Sequence, residues 1–307
     1  MQVKNDLNLL EPIFEALAHD NYDAGDSDIT PSVWIDSPRI AQLTKAHKHE
    51  IEESISDKAF SLLGTAVHVM LERAADHRDK GVITEERVFY DHSSGLRLSG
   101  AIDLQILEEG DIEKIVDYKT GSVWGFILNA LGLKPEWISQ LNSYRYILEK
   151  AKPGIKVSAL YILVIFRDWR ASDAKKRTDY PQSPIMQIQV PLWSWEETEA
   201  YVDERLAIHQ DAAYSALVGQ RLPDCTPEEM WEQKEKYAVL KYATAKRAMK
   251  LFESEDEAIT WASNQNLNGN HVIQHRPGKR TRCEDWCKVS QYCDQYKEYL
   301  ENKDVNI

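Results

Sequence analysis

Residues 99–120 read SGAIDLQILEEGDIEKIVDYKT. Branched and apolar residues fill both halves of the stretch, and the turn-prone Glu109, Gly110 and Asp111 separate them, which predicts an antiparallel strand pair. Side chains alternate along a strand, so Ile115, Asp117 and Lys119 share one face while Val116 and Tyr118 take the other. Asp103 stands on the neighbouring strand. Two carboxylates and an ammonium placed this closely are costly to bury without a partner. A metal ion between the carboxylates would supply one and would also activate a water molecule.

Outward from this hairpin the pattern alternates between helix and strand. Residues 85–90 and 98–106 alternate like paired strands across the turn 91–95, and with 113–120 they predict a three-stranded antiparallel meander. Upstream, 51–76 reads as a helix on the recurrence of Phe60, Leu63, Val67 and Leu71, with capping residues in 54–57. Downstream, 137–150 reads as a helix stopped by Pro153 and Gly154. The short apolar run 157–166 suits a strand buried on both faces, with 186–190 as its partner. Residues 195–218 return to helical spacing through Trp195, Thr198, Tyr201, Val202 and Leu206. Beyond the break at Pro223, helices are expected over 228–252 and 255–264, then a polar loop, 264–270, and a short strand over 271–275. The expected organisation is an N-terminal arm (1–30, loosely held), an α/β core (31–222) and a mainly helical C-terminal portion with the cysteine cluster (223–307).

Composition narrows the function classes. The chain has 307 residues and a net charge of −13, which argues against a general nucleic-acid-coating protein but leaves room for an enzyme with local basic surface. Three basic segments are candidates for such surface: 241–250, 276–282 and 167–177. The sequence has no glycine-rich nucleotide-binding motif of the G-x-x-x-x-G-K-[ST] kind, no apolar run approaching membrane-spanning length and no signal-peptide pattern at its start. A soluble, intracellular protein is the expectation, with no membrane partner. Four cysteines are too few for a disulfide scaffold, and three of them cluster near the end, which favours metal ligation.

Gly100-Ala101-Ile102-Asp103 followed by Asp117-Tyr118-Lys119-Thr120 resembles the active-site hairpin of the PD-(D/E)XK nuclease superfamily, and more closely its RecB-like branch of phage-type exonucleases and CRISPR-associated nucleases. Gly64 to His68, with Glu72, resembles that branch's helical histidine motif. Gln140 to Tyr144 resembles its Gln-x-x-x-Tyr motif, and Cys225, Cys283, Cys287 and Cys293 resemble the iron–sulfur staple of many members. The resemblance implies a restriction-endonuclease-like core, a mixed central sheet flanked by helices, with a cysteine-stapled C-terminal portion.

It also implies roles. Asp103, Asp117, His68 and the Tyr118 backbone carbonyl would ligate Mg²⁺ or Mn²⁺. Lys119 would orient the attacking water and stabilise charge on the phosphate, while Gln140 and Tyr144 would complete the catalytic set. Glu72 and Glu86 are candidate outer acids. The four thiols suit a [4Fe–4S] cluster, a tetrahedral Zn²⁺ or no metal at all. The implied activity is metal-dependent DNA hydrolysis, expected as a stand-alone exonuclease acting on DNA ends in replication, recombination or repair, with a helicase or single-strand annealing protein as partner. Two alternatives remain: a non-catalytic nucleic-acid-binding subunit that retains the fold, and a hydrolase of another phosphodiester such as RNA.

Overall fold

The computed structural model describes residues 2–18, 25–75, 81–108, 111–129, 132–265 and 271–305. The expected turn residues Glu109 and Gly110, residues 19–24 of the polar arm, 266–270 of the polar loop and the side chain of Phe60 lie outside them. Contacts divide the chain into two units: Met1–Pro38 with Lys48–Arg221, and Arg39–His47 with Leu222–Ile307.

In chain order the first unit carries β1 (Gln2–Lys4), α1 (Glu11–Ala18) and α2 (Pro31–Trp34). After α3 (Pro38–Ala46), nearly all of which belongs to the second unit, come β2 (Glu52–Ser54) and α4 (Ile55–Ala75). The sheet strands β3 (Val82–Asp91), β4 (Arg97–Glu108) and β5 (Asp111–Gly121) follow, then α5 (Val123–Ile127), α6 (Pro135–Ala151), β6 (Ala159–Phe166), α7 (Ala171–Ala174), β7 (Ile185–Val190) and α8 (Trp195–Leu217).

The five sheet strands lie in the order β3-β4-β5-β6-β7, antiparallel except for the parallel β5–β6 pair. A parallel pair needs a crossover, and α6 makes it. Pro135 at the first turn of α6 gives up only an orphan N–H, and past its end Gly154 takes φ +102. Strands pair both edges of β6, but its run, expected to be buried on both faces, is fully buried on only one: Tyr161, Leu163 and Ile165 are half-buried, while on the other face Leu160, Ile162 and Val164 are at most 1% exposed. Leu141, Ile147 and Leu148 of α6 pack with them into the core.

Residues 1–30, expected as a loose arm, are tied into this unit at several points. β1 pairs parallel to β2, and the backbone at Asp28 and Ile29 hydrogen-bonds to Arg97 and Ser99 of β4. A polar segment gains order here because backbone hydrogen bonds to a strand do not depend on side-chain type.

The second unit adds β8 (Glu232–Gln233), β9 (Lys236–Leu240), β10 (Lys250–Phe252), α9 (Glu255–Asn264), β11 (Val272–Arg276), β12 (Lys279–Arg280), α10 (Thr281–Asp285) and α11 (Asp294–Val305) to α3. Residues 228–252, expected as helix, instead carry three of these strands, and β9 is the centre of a β10-β9-β11 sheet. The alternation of Tyr237 and Val239, which pack with α9, wins over the helical propensity of the Lys, Glu and Ala residues around it. The sequence boundary at 222/223 also misses α3, which is remote in sequence. Among the described residues, no helix is long and apolar enough to cross a membrane.

Arg39 attaches α3 to the rest of its unit. Its guanidinium is fully buried and donates to the carbonyls of Leu222 and Pro223 and to the carboxylates of Asp224 and Asp294.

Candidate active site

The site forms where the sheet ladder fails. The β3–β4 register runs to Thr84↔Leu104 and resumes at Glu86↔Ile102, and Glu85, opposite Asp103, takes φ +48. On the other side the β4–β5 ladder runs between Glu108↔Asp111 and Leu104↔Val116 and ends there, at the threshold of Asp103 and Asp117. The Tyr118 N–H then donates to the Asp103 carboxylate at 2.6 Å in place of a ladder carbonyl. A left-handed glutamate is strained, and such strain concentrates at functional positions.

Seven expected residues meet here. Asp103, Asp117, Lys119, His68 and Glu72 line one open cleft together with Gln140 and Tyr144 of α6. His68 of α4 places Nδ1 3.2 Å from Glu85 Oε1 and 3.6 Å from Asp103 Oδ1, with the Tyr118 ring edge-on to the imidazole. Lys119 Nζ lies 2.6 Å from Asp117 Oδ2. Gln140 donates to the Tyr144 hydroxyl at 2.8 Å, joining two residues one helical turn apart. Gly64, at the start of the histidine motif, is not sterically required: a Cβ there would sit 3.8 Å from Thr120 Oγ1, an ordinary contact.

Glu86 is not part of the cluster. Lys152 Nζ contacts both its carboxylate oxygens at 2.7 Å and Gln105 donates to it at 2.9 Å. Its neighbour Glu85 reaches the site instead. Two adjacent glutamates on a strand point to opposite faces, and the irregular backbone at Glu85 removes the phase by which sequence could have chosen between them. His68, Glu85 and Asp103 are the group of potential ligands, among the described residues, whose donor atoms lie within 4.8 Å of one another.

Gly100 has a steric role. A Cβ there would lie 2.8 Å from Tyr144 Cδ1 and 3.3 Å from Ile147 Cδ1, so the Tyr144 ring rests directly on the strand backbone. We expect Gly100→Ala to destabilise the protein by about 1–3 kcal/mol through overpacking against Tyr144 and Ile147, which chemical denaturation checks as a lowered midpoint.

The electrostatics call for a cation. Burial, and then the adjacent Asp117, push the Asp103 carboxyl up to about 8, against the opposing influence of His68. The hydrogen bond to Glu85, with the nearby carboxylates, raises His68 despite its burial. Burial alone would lower Lys119, yet Asp117 and Asp103 outweigh it and hold the amine charged. Oxygen and imidazole donors around unwanted negative charge fit a divalent ion such as Mg²⁺ or Mn²⁺.

Residues 39–294 match the family described as the PD-(D/E)XK nuclease superfamily. The chain belongs to that superfamily. Members use divalent metals, in keeping with the donor set above. Among solved structures, the chain is similar to one titled "Crystal structure of SSO0001" at 18% identity and TM-score 0.41, covering 68% of this chain and 82% of that one. It is also similar to an alkaline exonuclease from Laribacter hongkongensis at 13% identity and TM-score 0.33, covering 60% and 88%. No curated protein matches.

In this PD-(D/E)XK protein the metal-free site has a pH signature. Asp103 holds a proton when folded that an unfolded carboxyl near 3.8 releases, so its stabilising contribution is full below that value and is lost as pH climbs toward about 8. His68, raised above 6.5, acts in the same direction: its share is present below that value and lost above its folded pKa. We expect the Tm in EDTA to fall from pH 5 to pH 8 and the stabilisation by Mn²⁺ to grow across the same window. Thermal scans at each pH with and without Mn²⁺ check this, and a metal effect independent of pH would contradict it.

The second unit gathers all four cysteines, none in a disulfide, around one cavity beside Arg39. Arg39 Nη1 lies 3.8 Å from Cys293 Sγ. Burial and the neighbouring Cys287 and Cys293 push the Cys283 thiol up to about 11, the expected result when clustered thiols lack a cation.

Proposed function

We propose that this protein is a Mg²⁺- or Mn²⁺-dependent deoxyribonuclease of the RecB-like type that acts as an exonuclease on DNA ends. The convergence of Asp103, Asp117, Lys119, His68 and Glu85 in one cleft is the observation that carries this reading. The side chains of Asp103, Asp117, His68 and Glu85 would hold the ion, with the Tyr118 carbonyl as a further oxygen. When bound, it supplies Lewis acidity toward the phosphate oxygens and lowers the pKa of the attacking water.

The chain's own residues do the rest. Lys119, kept cationic by Asp117, orients the attacking water and places positive charge where the phosphate accumulates negative charge. Gln140, fixed by its bond to the Tyr144 hydroxyl, positions the water or the lysine, and Tyr144 contacts the substrate strand. Glu72, one turn from His68, supports the ligand face of α4.

For the cysteine cavity we favour a structural [4Fe–4S] cluster over Zn²⁺. All four thiols line one cavity, and the four cysteines resemble the iron–sulfur staple of related nucleases. Such a cluster would clamp α3, Cys225 and the tail into one unit. The biological setting would be replication, recombination or repair, beside a helicase or annealing protein.

The test is degradation of end-labelled linear DNA by anaerobically purified protein in Mg²⁺, Mn²⁺ or EDTA, run beside Lys119→Ala. Metal-dependent loss of mononucleotides from the ends is expected from the wild type. Binding of DNA with no cleavage in either metal would instead favour a non-catalytic subunit.

A further inference from the structure

Of the three basic segments, two have arginine or lysine committed to acids: Lys279 to Asp285, Arg280 to Glu232, and Arg177 to Asp179. The third, 241–250 (KYATAKRAMK), is different. Like 276–282 it contains no acidic residue, but none of Lys241, Lys246, Arg247 or Lys250 pairs with a carboxylate among the described residues. In a chain of net charge −13 this is a strong local departure.

The segment is also built rather than loose. It links β9 to β10, closed at its tip by the Ala245 N–H donating to the Tyr242 carbonyl and at its base by Met249 N–H donating to Val239. Lys250 sits over the rings of Phe252 and Trp261, at 5.1 and 5.7 Å, which fixes one cation at the base. Tyr242 and Met249 are 58% and 46% exposed between the cations. Cations interleaved with an exposed aromatic match a nucleic-acid strand, whose phosphates take the charge while its bases take the ring.

We propose that the β9–β10 hairpin is a DNA-binding element that holds the phosphate backbone of the strand during digestion. The proposal rests on the nuclease reading for the identity of its polyanion. The hairpin contributes to substrate affinity and not to the chemical step, so its loss should raise KM and leave kcat unchanged.

The test uses the full-length protein with Lys241→Gln, Lys246→Gln and Arg247→Gln combined; Lys250 is kept because of its packing. Binding of labelled DNA is measured in EDTA by fluorescence anisotropy at several salt concentrations, and cleavage separately with metal. The neutralised variant should bind about tenfold more weakly at moderate salt, and the slope of log K against log salt should flatten by about 2, since each lost phosphate contact removes about 0.7–0.9. A charge-conserving set, Lys241→Arg, Lys246→Arg and Arg247→Lys, should retain both. Unchanged affinity and slope in the neutralised protein would overturn the proposal, as would failure of the wild type to bind DNA. Wild-type binding without cleavage, still weakened in the variant, would remove the nuclease reading and leave the hairpin assignment standing.

Discussion

Lys119→Ala is expected to slow DNA cleavage by about 10²–10³-fold, the effect of removing a positioned charge from a site where transition-state charge develops. Lys119 pairs with the buried Asp117 at 2.6 Å, and Asp117 and Asp103 keep it protonated. Its removal leaves two carboxylates without that countercharge, so the divalent ion should bind at least as tightly as before. The metal-free variant should be less stable than wild type, and metal should restore most of the difference. These opposite effects separate the lysine's role from simple damage to the site. Titration of Mn²⁺ followed by single-turnover cleavage measures both; an unchanged rate, or a loss traced wholly to weakened metal binding, would sink the assignment.

Arg39→Ala should destabilise the second unit by about 3 kcal/mol, toward the lower end of the 3–5 kcal/mol typical of a broken buried ion pair. The guanidinium is fully buried and engages Asp224, Asp294 and the carbonyls of Leu222 and Pro223 at once. The two carboxylates are each about half exposed, at 53% and 51%, so water can recover part of their solvation. That argues for the smaller penalty. The two backbone acceptors and the space left by the side chain add their own cost. Lysine should not rescue, because one ammonium cannot span four acceptors arranged for a planar fork. Equilibrium denaturation would show this as a lowered midpoint, and a change below about 1 kcal/mol would mean that Arg39 does not hold the unit together.

The prediction for Glu86 shows where sequence reading stops. Its residue type and strand were right for an acid near Asp103, but Glu85 occupies the site and Glu86 bonds to Lys152 and Gln105. A strict period of two would assign faces to both, and φ +48 at Glu85 breaks that period locally. Residues 228–252 fail for a related reason. Their Lys, Glu and Ala content favours helix, yet the small sheet needs Tyr237 and Val239 on one face against α9. Arg39 carried no local signal at all, since its four acceptors lie more than 180 residues away in sequence.

Short-range patterns specify the nuclease core: the alternation around Asp103, Asp117 and Lys119, the apolar run of β6 and the helical spacings of α4, α6 and α8 each lead to their own element. Which residues share the cleft, and which helix joins the cysteine unit, are settled by long-range packing. Those choices depend on a ladder that lapses at Asp103 and on a buried arginine reaching across the chain, and neither leaves a periodic trace among its sequence neighbours.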